Sequence, residues 1–294
     1  MKILLQIPEG LKTRAIEIAK ELESRGDKVV ISCDPCYGAC DLKEKEAREL
    51  GCEKIIHYGH TKFLENRMPV LYEEIKESMD PAPILNKDFE KIEKHSSFGL
   101  VSSLQFVDSL KKAKSFLEKK AKQAHIGKGI LISKKLYPGQ ILGCDISAAK
   151  AVESKVDCFL FFGSGRFHPL GLALSTEKPV YFVDMERKEI ENLNSFRRKF
   201  LNQRYAASAM LKHARTIGIL VSTKSGQRRI ELAENIREEL KKRGRNAFIL
   251  SMDEISPEKL AGLKLDAFIN TACPRIAIEH RTQFDKPIVN PDEI

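Results

Sequence analysis

Three copies of one unit follow one another along this chain, and the repeat constrains the fold more than any other feature. Each copy reads as an apolar strand, a short loop, an amphipathic helix and a second apolar strand. The copies open at Lys2, Phe98 and Thr216. Their second strands, DKVVIS, GKGILIS and RNAFILS, end on Ser32, Ser133 and Ser251. Strand–helix–strand units of this kind form parallel sheets with helices on both faces.

The second halves of the copies also match. Each continues into a third buried strand with a polar exit: CEKIIHYGHT, VDCFLFFGSG and LDAFINTACP, from Cys52, Val156 and Leu265. A strand led by proline follows each time: MPVLYEE, KPVYFVD and KPIVNPD, from Met68, Lys178 and Lys286. Any Rossmann-like chain shows part of this pattern, but the full order recurs here three times. We therefore predict an α/β protein of three homologous domains, each a four-stranded, mostly parallel sheet flanked by helices.

The predicted domain boundaries follow from the repeat. We place the three domains at residues 1–88, 89–190 and 191–294. The stretch Asp80–His95 has two prolines and no strand pattern, which is typical of a linker. The stretch Lys188–His213 reads as a long polar helix that connects the second copy to the third.

One cysteine of each copy, Cys40, Cys144 or Cys273, lies in a loop that follows a strand. No local metal motif has such wide spacing, but ligands of α/β sheets bind beyond the carboxyl ends of the strands. Three thiolates that converge there would hold three irons of a [4Fe–4S] cluster and leave the fourth iron open for a ligand. The sequence therefore indicates three domains around a central iron–sulfur cluster.

The loops around the first two of these cysteines resemble each other. Each has a tyrosine, a glycine and then a Cys-Asp pair: Tyr37, Gly38, Cys40 and Asp41 in one, and Tyr137, Gly139, Cys144 and Asp145 in the other. Glycine lets backbone amides approach a ligand closely. The aspartate after each cysteine is of a type that caps the following helix.

The other four cysteines have different interpretations. Cys52 and Cys158 are expected to be buried as small apolar residues. Cys33 and Cys36 form C-x2-C-x3-C with Cys40, the reverse of the C-x3-C-x2-C spacing of radical enzymes. A local three-thiol site is therefore an alternative, although it leaves Cys144 and Cys273 unexplained.

Composition narrows the class of protein. Seven cysteines is an odd number, so a complete disulfide framework within one chain is excluded. No run approaches the ~20 apolar residues of a membrane span, and the N-terminal run lacks the features of a signal peptide. We expect a cytoplasmic protein that uses no membrane. The net charge of +9 suits a partner that is acidic or bound to nucleic acid, although a solvated surface rich in Lys and Glu gives the same balance.

Several polar residues at strand exits are candidates for binding a substrate with amino and carboxylate ends. Arginine grips a carboxylate through two hydrogen bonds, and a Gly-Ser-Gly turn offers amides to an anion. The candidates are Tyr37, Gly38, His60, Gln105, Gly163, Ser164, Gln227 and Arg275. His57 shares the HYGHT segment with His60. For each of them, an ordinary turn or surface role is the competing interpretation. His168, Arg228 and Arg229 are interpreted as turn or surface residues.

Several segments of the sequence resemble those of a known family. The strings DPCYGACDL, HYGHT, LQFVDSL, GQILGCD, FFGSGRFHPLGLAL, VSTKSGQ and NTACPRIAIEH span Asp34 to His280. Together they resemble the archaeal diphthamide-biosynthesis enzymes, the 2-(3-amino-3-carboxypropyl)histidine synthases. The resemblance implies that Cys40, Cys144 and Cys273, and not Cys33 or Cys36, hold a [4Fe–4S] cluster. It also implies a homodimer with S-adenosylmethionine as co-substrate.

The resemblance implies an unconventional radical reaction. The reduced cluster gives an electron to the sulfonium of S-adenosylmethionine, and the bond from sulfur to Cγ of the methionine part breaks. The 3-amino-3-carboxypropyl radical then adds to a histidine of translation elongation factor 2, and 5′-methylthioadenosine is released. An electron donor, which we leave unidentified, is implied; no general base is evident, and no direct contact with nucleic acid is expected. Members of the family commonly continue beyond the point that corresponds to Ile294, and we expect the thiols to be unaffected by this difference.

Three other functions compete with this one. The first is a conventional radical enzyme that uses the trio Cys33, Cys36 and Cys40 to make a 5′-deoxyadenosyl radical. The second is an iron–sulfur scaffold or electron carrier without catalysis. The third is a nucleotide-binding α/β protein whose thiols are incidental.

Overall fold

The computed structural model describes residues 1–129 and 136–294. The first copy forms a parallel sheet in the order β2-β1-β3-β4. Its strands are β1 (Lys2–Gln6), β2 (Lys28–Ile31), β3 (Lys54–Tyr58) and β4 (Val70–Glu73). Its helices are α1 (Ala15–Ser24) and α2 (Glu44–Glu49), and α3 (Ala82–Lys87) leads to the next sheet. Ile3, Leu4 and Leu5 are buried, as expected for a strand covered on both faces.

The second copy forms a five-stranded sheet in the order β6-β5-β7-β8-β9. Its strands are β5 (Ser97–Ser102), β6 (Gln123–His125), β7 (Cys158–Gly163), β8 (Val180–Asp184) and β9 (Glu189–Asn192). The helices of this stretch are α4 (Ser109–Lys119), α5 (Ser147–Lys150), α6 (Phe167–Ser175) and α7 (Asn194–His213). The fully buried run of β7 lies beside β5, so the most apolar strand is central.

The third copy repeats the order of the first as β11-β10-β12-β13, with parallel pairing throughout. Its strands are β10 (Thr216–Ser222), β11 (Asn246–Met252), β12 (Ala267–Asn270) and β13 (Ile288–Val289). Its helices are α8 (Ile230–Lys242), α9 (Pro257–Leu260) and α10 (Arg275–Ile278). The α/β class and the three mostly parallel sheets are as predicted, except that the second sheet has five strands rather than four.

An acidic residue immediately precedes the third strand of every copy and bonds in the same way each time. Its backbone N–H donates to a carbonyl at the start of the first strand, and its carboxylate accepts backbone N–H groups there. The three residues are Glu53, which accepts from Lys2; Asp157, which accepts from Ser96 and Ser97; and Asp266, which accepts from Arg215 and Thr216. This shared contact is independent evidence that the three copies are structurally equivalent.

The chain forms two compact units. One comprises residues 1–164 and 181–191, and it contains the first two sheets. The other comprises residues 165–180 and 192–294, and it contains α6, α7 and the third sheet. Among the described residues, no helix has both the length and the apolar character that crossing a bilayer requires.

Two segments differ from the sequence prediction. The second strand of the second copy was predicted as GKGILIS, after a helix that reached Gln123. Instead α4 ends at Lys119, Ala121 adopts a left-handed turn with φ of 58°, and β6 starts at Gln123. Residues 127–129 are not in a strand, and the rest of the predicted strand, with Ser133 and Lys134, lies outside the described residues.

The structure also differs from the prediction at the connecting helix and at the linker. The helix Lys188–His213 begins only at Asn194, because Glu189–Asn192 adds the fifth strand, β9, to the second sheet. The linker Asp80–His95 contains the helix α3 and a short 3-10 turn at Phe89–Lys91. Proline at the first turn of a helix is well tolerated, so Pro81 is compatible with the start of α3.

Candidate functional site

The loop between β2 and α2 carries Cys33, Cys36 and Cys40 in three different environments. Cys33 is exposed, Cys36 is buried and Cys40 is half-buried. Gly38 lies beside the last of these, since a Cβ added to it would be 3.6 Å from the sulfur of Cys40. The backbone N–H of Asp41 donates to the carbonyl of Gly38 (3.0 Å), which closes a tight turn around Cys40.

The aspartates that follow Cys40 and Cys144 are both buried, but they bond differently. Asp145 accepts the backbone N–H of Ser147 (2.9 Å), the first residue of α5, but the N-cap of that helix is Ile146 and the helix has no side-chain cap. Asp41 has a carboxylate oxygen 3.6 Å from the ammonium of Lys43, and α2 has no side-chain cap. The capping prediction is therefore not confirmed at either aspartate.

Cys144 lies at the equivalent position of the second copy, between β6 and α5. Its side chain is exposed. The Oδ2 atom of Asp145, the next residue, is buried and has no hydrogen-bond donor within the described residues. The Cys144 loop therefore presents a thiol to the surface next to a buried acceptor.

Cys273 follows β12 in the second compact unit and is half-buried. Its carbonyl accepts from the side-chain amide of Asn270 (2.9 Å), which also donates to Oδ1 of Asn290 (2.8 Å). Asn270 is 1% exposed, so this loop is held from within the sheet. Sequence reasoning missed Asn270, although an amide that ends an apolar strand is a visible signal.

The first unit contains a buried polar chain that joins the predicted candidates His57 and His60 to Gln6, which sequence reasoning missed. Gln6 ends β1 and donates from Nε2 to the carbonyl of Asp41 (2.6 Å), while its Oε1 lies 3.3 Å from Nδ1 of His57. Nε2 of His57 lies 3.0 Å from Nδ1 of His60. Burial lowers the pKa of His57 to about 3, with His60 as a second cause. Burial likewise lowers the pKa of His60 to about 4, so both imidazoles are neutral at pH 7.

Cys36 completes a compact group with the two histidines. One ligand atom from each of Cys36, His57 and His60 lies within 4.8 Å of the other two. Burial raises the pKa of the Cys36 thiol to about 12, and the charge of Asp41 adds to this. A buried thiol that lies with two imidazoles does not favour the local trio with Cys33 and Cys40.

Some of the predicted substrate-binding residues do come together at the exit of the second sheet. The hydroxyl of Ser103 donates to Oε1 of Gln105 (3.2 Å), and it lies 3.5 Å from where a Cβ on Gly163 would be. Ser164 follows at the surface and is half-buried, and Tyr37 in the first copy is 43% exposed.

The remaining predicted residues, Gln227 and Arg275, are in the second unit. Gln227 is buried, and its backbone N–H donates to the carbonyl of Lys224 (3.0 Å) in the turn after β10. Arg275 pairs with Glu279 one turn along α10, and its guanidinium lies 4.8 Å from the ring centre of Phe167. The Arg275 side chain is therefore positioned by neighbours of its own unit.

The two cysteines predicted to be structural are buried. Cys52 is 6% exposed and Cys158 is 0% exposed. Burial raises the thiol pKa of both residues, which keeps them protonated and unreactive.

The fold and these loops define a class: an α/β protein of three copies in which a cysteine follows a strand of each sheet. Residues 7–294 match the family described as "Putative diphthamide synthesis protein". The chain belongs to this family. The resemblance found in the sequence is therefore confirmed.

Individual relatives agree with the family assignment. The chain is 35% identical to the 2-(3-amino-3-carboxypropyl)histidine synthase of Pyrococcus horikoshii, over 100% of this chain and 84% of the relative. The synthase of Methanocaldococcus jannaschii is 31% identical over 99% of this chain and 83% of the relative. The crystal structure of Dph2 from Pyrococcus horikoshii with a 4Fe-4S cluster matches with a TM-score of 0.91 and 34% identity, over 99% of this chain and 84% of that one.

Proposed function

We propose that this protein transfers the 3-amino-3-carboxypropyl group of S-adenosylmethionine to a histidine of translation elongation factor 2, the first step of diphthamide biosynthesis. The observation that carries the proposal is the similarity, over nearly the whole chain, to proteins named as synthases of that modified histidine. The similar structure of Dph2 holds a 4Fe-4S cluster, which supports an iron–sulfur cluster as the cofactor.

In this proposal Cys40, Cys144 and Cys273 hold a [4Fe–4S] cluster. The donor set fits, because thiolates are the usual ligands of such clusters and each copy presents one thiol after a strand. Gly38 also fits, because it leaves the flank of the Cys40 sulfur clear of a side chain. Three protein ligands would leave one iron of the cluster open. A cluster held by these three cysteines would supply one electron to the sulfonium of S-adenosylmethionine.

Side chains and backbone groups of the protein would then position S-adenosylmethionine. Which carbon–sulfur bond breaks depends on which one is held in line with the source of the electron. We assign this task to Tyr37, Gly38, His60, Gln105, Gly163, Ser164, Gln227 and Arg275. The contact of Ser103 with Gln105 and the close approach to Gly163 support it at the exit of the second sheet. The charge of Arg275 suits the carboxylate of the methionine part.

The proposed setting is a cytoplasmic homodimer made of three-domain chains, with an electron donor that stays unidentified. A reducing compartment keeps the thiols available for iron. The net charge of +9 suits a large acidic or ribosome-associated protein substrate. Light scattering on the purified protein tests the dimer directly.

One assay tests the proposed reaction. The anaerobic protein is reduced with dithionite in the presence of S-adenosylmethionine, and the released nucleoside is identified by mass spectrometry. We expect 5′-methylthioadenosine, together with a mass increase on elongation factor 2 that is lost when its target histidine is replaced. Release of 5′-deoxyadenosine would instead favour a conventional radical enzyme, and release of neither nucleoside would contradict the proposal.

A further inference from the structure

The group formed by Cys36, His57 and His60 shares no residue with the three cysteines proposed for the cluster, and the reaction proposed above leaves Cys36 and His57 without a role. Its members come from the loop after β2, from β3 and from the turn after β3. Cys36 is 2% exposed, His57 is 0% exposed, and His60 is half-buried. Buried polar groups are normally hydrogen-bonded. The hydrogen bonds of this group therefore indicate which atoms could bind a ligand.

The hydrogen bonds of Gln6 determine which nitrogen of His57 carries the proton. Because Nε2 of Gln6 donates to the carbonyl of Asp41, its Oε1 is the acceptor that faces His57. The backbone N–H of Lys43 donates to the same oxygen (3.3 Å). Nδ1 of His57 must therefore donate, which leaves a lone pair on its Nε2.

This arrangement is the one that metal-binding histidines have. A ligating imidazole normally donates its other N–H to a carbonyl or carboxylate, which fixes the ring and the tautomer. The amide of Gln6 does this for His57, and Gln6 is itself held by the backbone of the Cys40 loop. The lone pair on Nε2 of His57 points to His60, where Nδ1 lies 3.0 Å away.

The distances suit a tetrahedral ion. Zinc–nitrogen bonds of about 2.0–2.1 Å at tetrahedral angles separate two ligating nitrogens by roughly 3.3 Å. The 3.0 Å between His57 and His60 is within a few tenths of an ångström of that value. An ion would replace the proton between the two rings, and His60 would carry its proton on Nε2 instead. The thiol of Cys36 would give up its proton on binding.

We propose that Cys36, His57 and His60 bind one divalent zinc-class ion at a site distinct from the iron–sulfur cluster. One thiolate and two imidazoles suit Zn²⁺, whereas Mg²⁺ and Ca²⁺ require oxygen ligands. Three protein ligands leave the fourth position for water. Because Cys36 and Cys40 share one loop, the ion also fixes the backbone that presents Cys40.

The test uses the anaerobically purified protein with its iron–sulfur cluster in place. One equivalent of ZnCl₂ is added, unbound metal is removed by gel filtration, and zinc and iron are counted by mass spectrometry. Zinc K-edge absorption then gives the ligands of the bound ion. We expect one zinc per chain with one sulfur and two imidazole nitrogens, and no change in iron.

Matched variants complete the test. Cys36→Ser and His60→Gln should each bind zinc at least about tenfold more weakly while keeping wild-type iron. Cys33→Ser and His213→Gln change an exposed thiol and an exposed imidazole, and both should bind zinc like the wild type. Circular dichroism establishes that each variant is folded. The zinc K-edge spectrum is recorded on the wild type, so this part of the test does not depend on the folding of any variant.

Three results would overturn the site. The first is a zinc shell without sulfur, or with several sulfurs as expected for the cluster cysteines. The second is undiminished zinc binding in both Cys36→Ser and His60→Gln. The third is zinc binding only in protein that has lost its iron. The first and third outcomes leave the proposed transferase reaction intact, because that reaction is read from the released nucleoside.

Discussion

The side-chain amide of Gln140 donates a hydrogen bond of 3.1 Å to the hydroxyl of Thr61. Gln140 is 1% exposed and Thr61 is 8% exposed, so the bond is shielded from water. Thr61 follows the third strand of the first copy, and Gln140 belongs to the Cys144 loop of the second. The bond therefore joins the loops of two repeats inside one compact unit.

Replacing this amide should destabilise the protein. In Gln140→Ala the hydroxyl of Thr61 loses its donor, and the backbone N–H of Tyr137 loses Oε1 of Gln140 as its acceptor (3.1 Å). Unpaired buried polar groups cost about 1–3 kcal/mol. A unit of this size loses about 2–4 °C of melting temperature per kcal/mol, and differential scanning calorimetry measures the change.

Gln123→Ala is the matched control for this prediction. Gln123 has an exposed side chain in β6 of the same unit, and we expect its melting temperature to stay near that of the wild type. If Gln140→Ala and Gln123→Ala melt together, the bond between the copies contributes nothing to stability.

Asp157 makes the folding stability of the protein depend on pH. Its carboxylate accepts the N–H groups of Ser96 and Ser97 at 2.9 Å each, and these bonds lower its pKa below the usual range. The unfolded chain, with a pKa of about 3.9, then binds protons at a higher pH than the folded one. The stabilisation is complete above that value and is lost as pH falls toward the lower folded pKa.

The variant Asp157→Asn tests this sign. It keeps an acceptor oxygen but loses the charge, so it should melt below the wild type at pH 7 and approach it as pH falls below about 4. Asp285→Asn changes an exposed carboxylate outside this arrangement and is the matched control, measured over the same pH range. A gap between Asp157→Asn and wild type that persists unchanged at pH 3.5 would rule out the proposed linkage.

The repeated pattern of apolar residues was enough to predict the sheets. Strands β1, β3, β5, β7, β10 and β12 are where the apolar runs lie, because a strand buried on both faces must be apolar throughout. The strand that pairs with β5 is β6, which ends before the predicted segment GKGILIS, and residues 130–133 of that segment lie outside the described residues. The segment GKGILIS is richer in β-branched residues than Gln123–His125, but the backbone turn at Ala121 starts the strand earlier.

The site was predictable only where it repeats. Cys40 and Cys144 follow the second strand of their copies, as the repeat predicts, whereas Cys273 follows the third strand, β12, of its copy. Within residues 1–129 and 136–294, the group of Cys36, His57 and His60 has no counterpart in the other copies. It depends on the register of β1 beside β3, which places Gln6 next to His57. Periodicity along a chain does not specify contacts of that kind.

Removing any of the three proposed cluster ligands should abolish the stable cluster. Cys40→Ala, Cys144→Ala and Cys273→Ala each leave two thiolates, which hold a [4Fe–4S] cluster poorly. The measurement is an anaerobic iron count with the visible absorption spectrum. Each variant is expected to lose most of its iron and all formation of 5′-methylthioadenosine.

Cys33→Ala and Cys158→Ala are the controls for the cluster. Cys33 is exposed in the same loop as Cys40, and Cys158 is buried in β7, so neither replacement should change the iron content. Full iron and activity in any one of the three ligand variants would remove that residue from the cluster. Loss of iron in Cys33→Ala would restore the local trio as the better interpretation.

Arg275→Ala should weaken the binding of S-adenosylmethionine more than it changes the iron content. The guanidinium is held between Glu279 and the ring of Phe167, so it is placed before the ligand arrives and loses little freedom on binding. A hydrogen-bonded charge of this kind contributes about 1.5–3 kcal/mol, which corresponds to a loss of affinity of roughly 10- to 150-fold. Arg228→Ala, at an exposed residue after β10, is the control and should bind like the wild type. Anaerobic equilibrium dialysis measures both, and equal affinities would exclude Arg275 from the site.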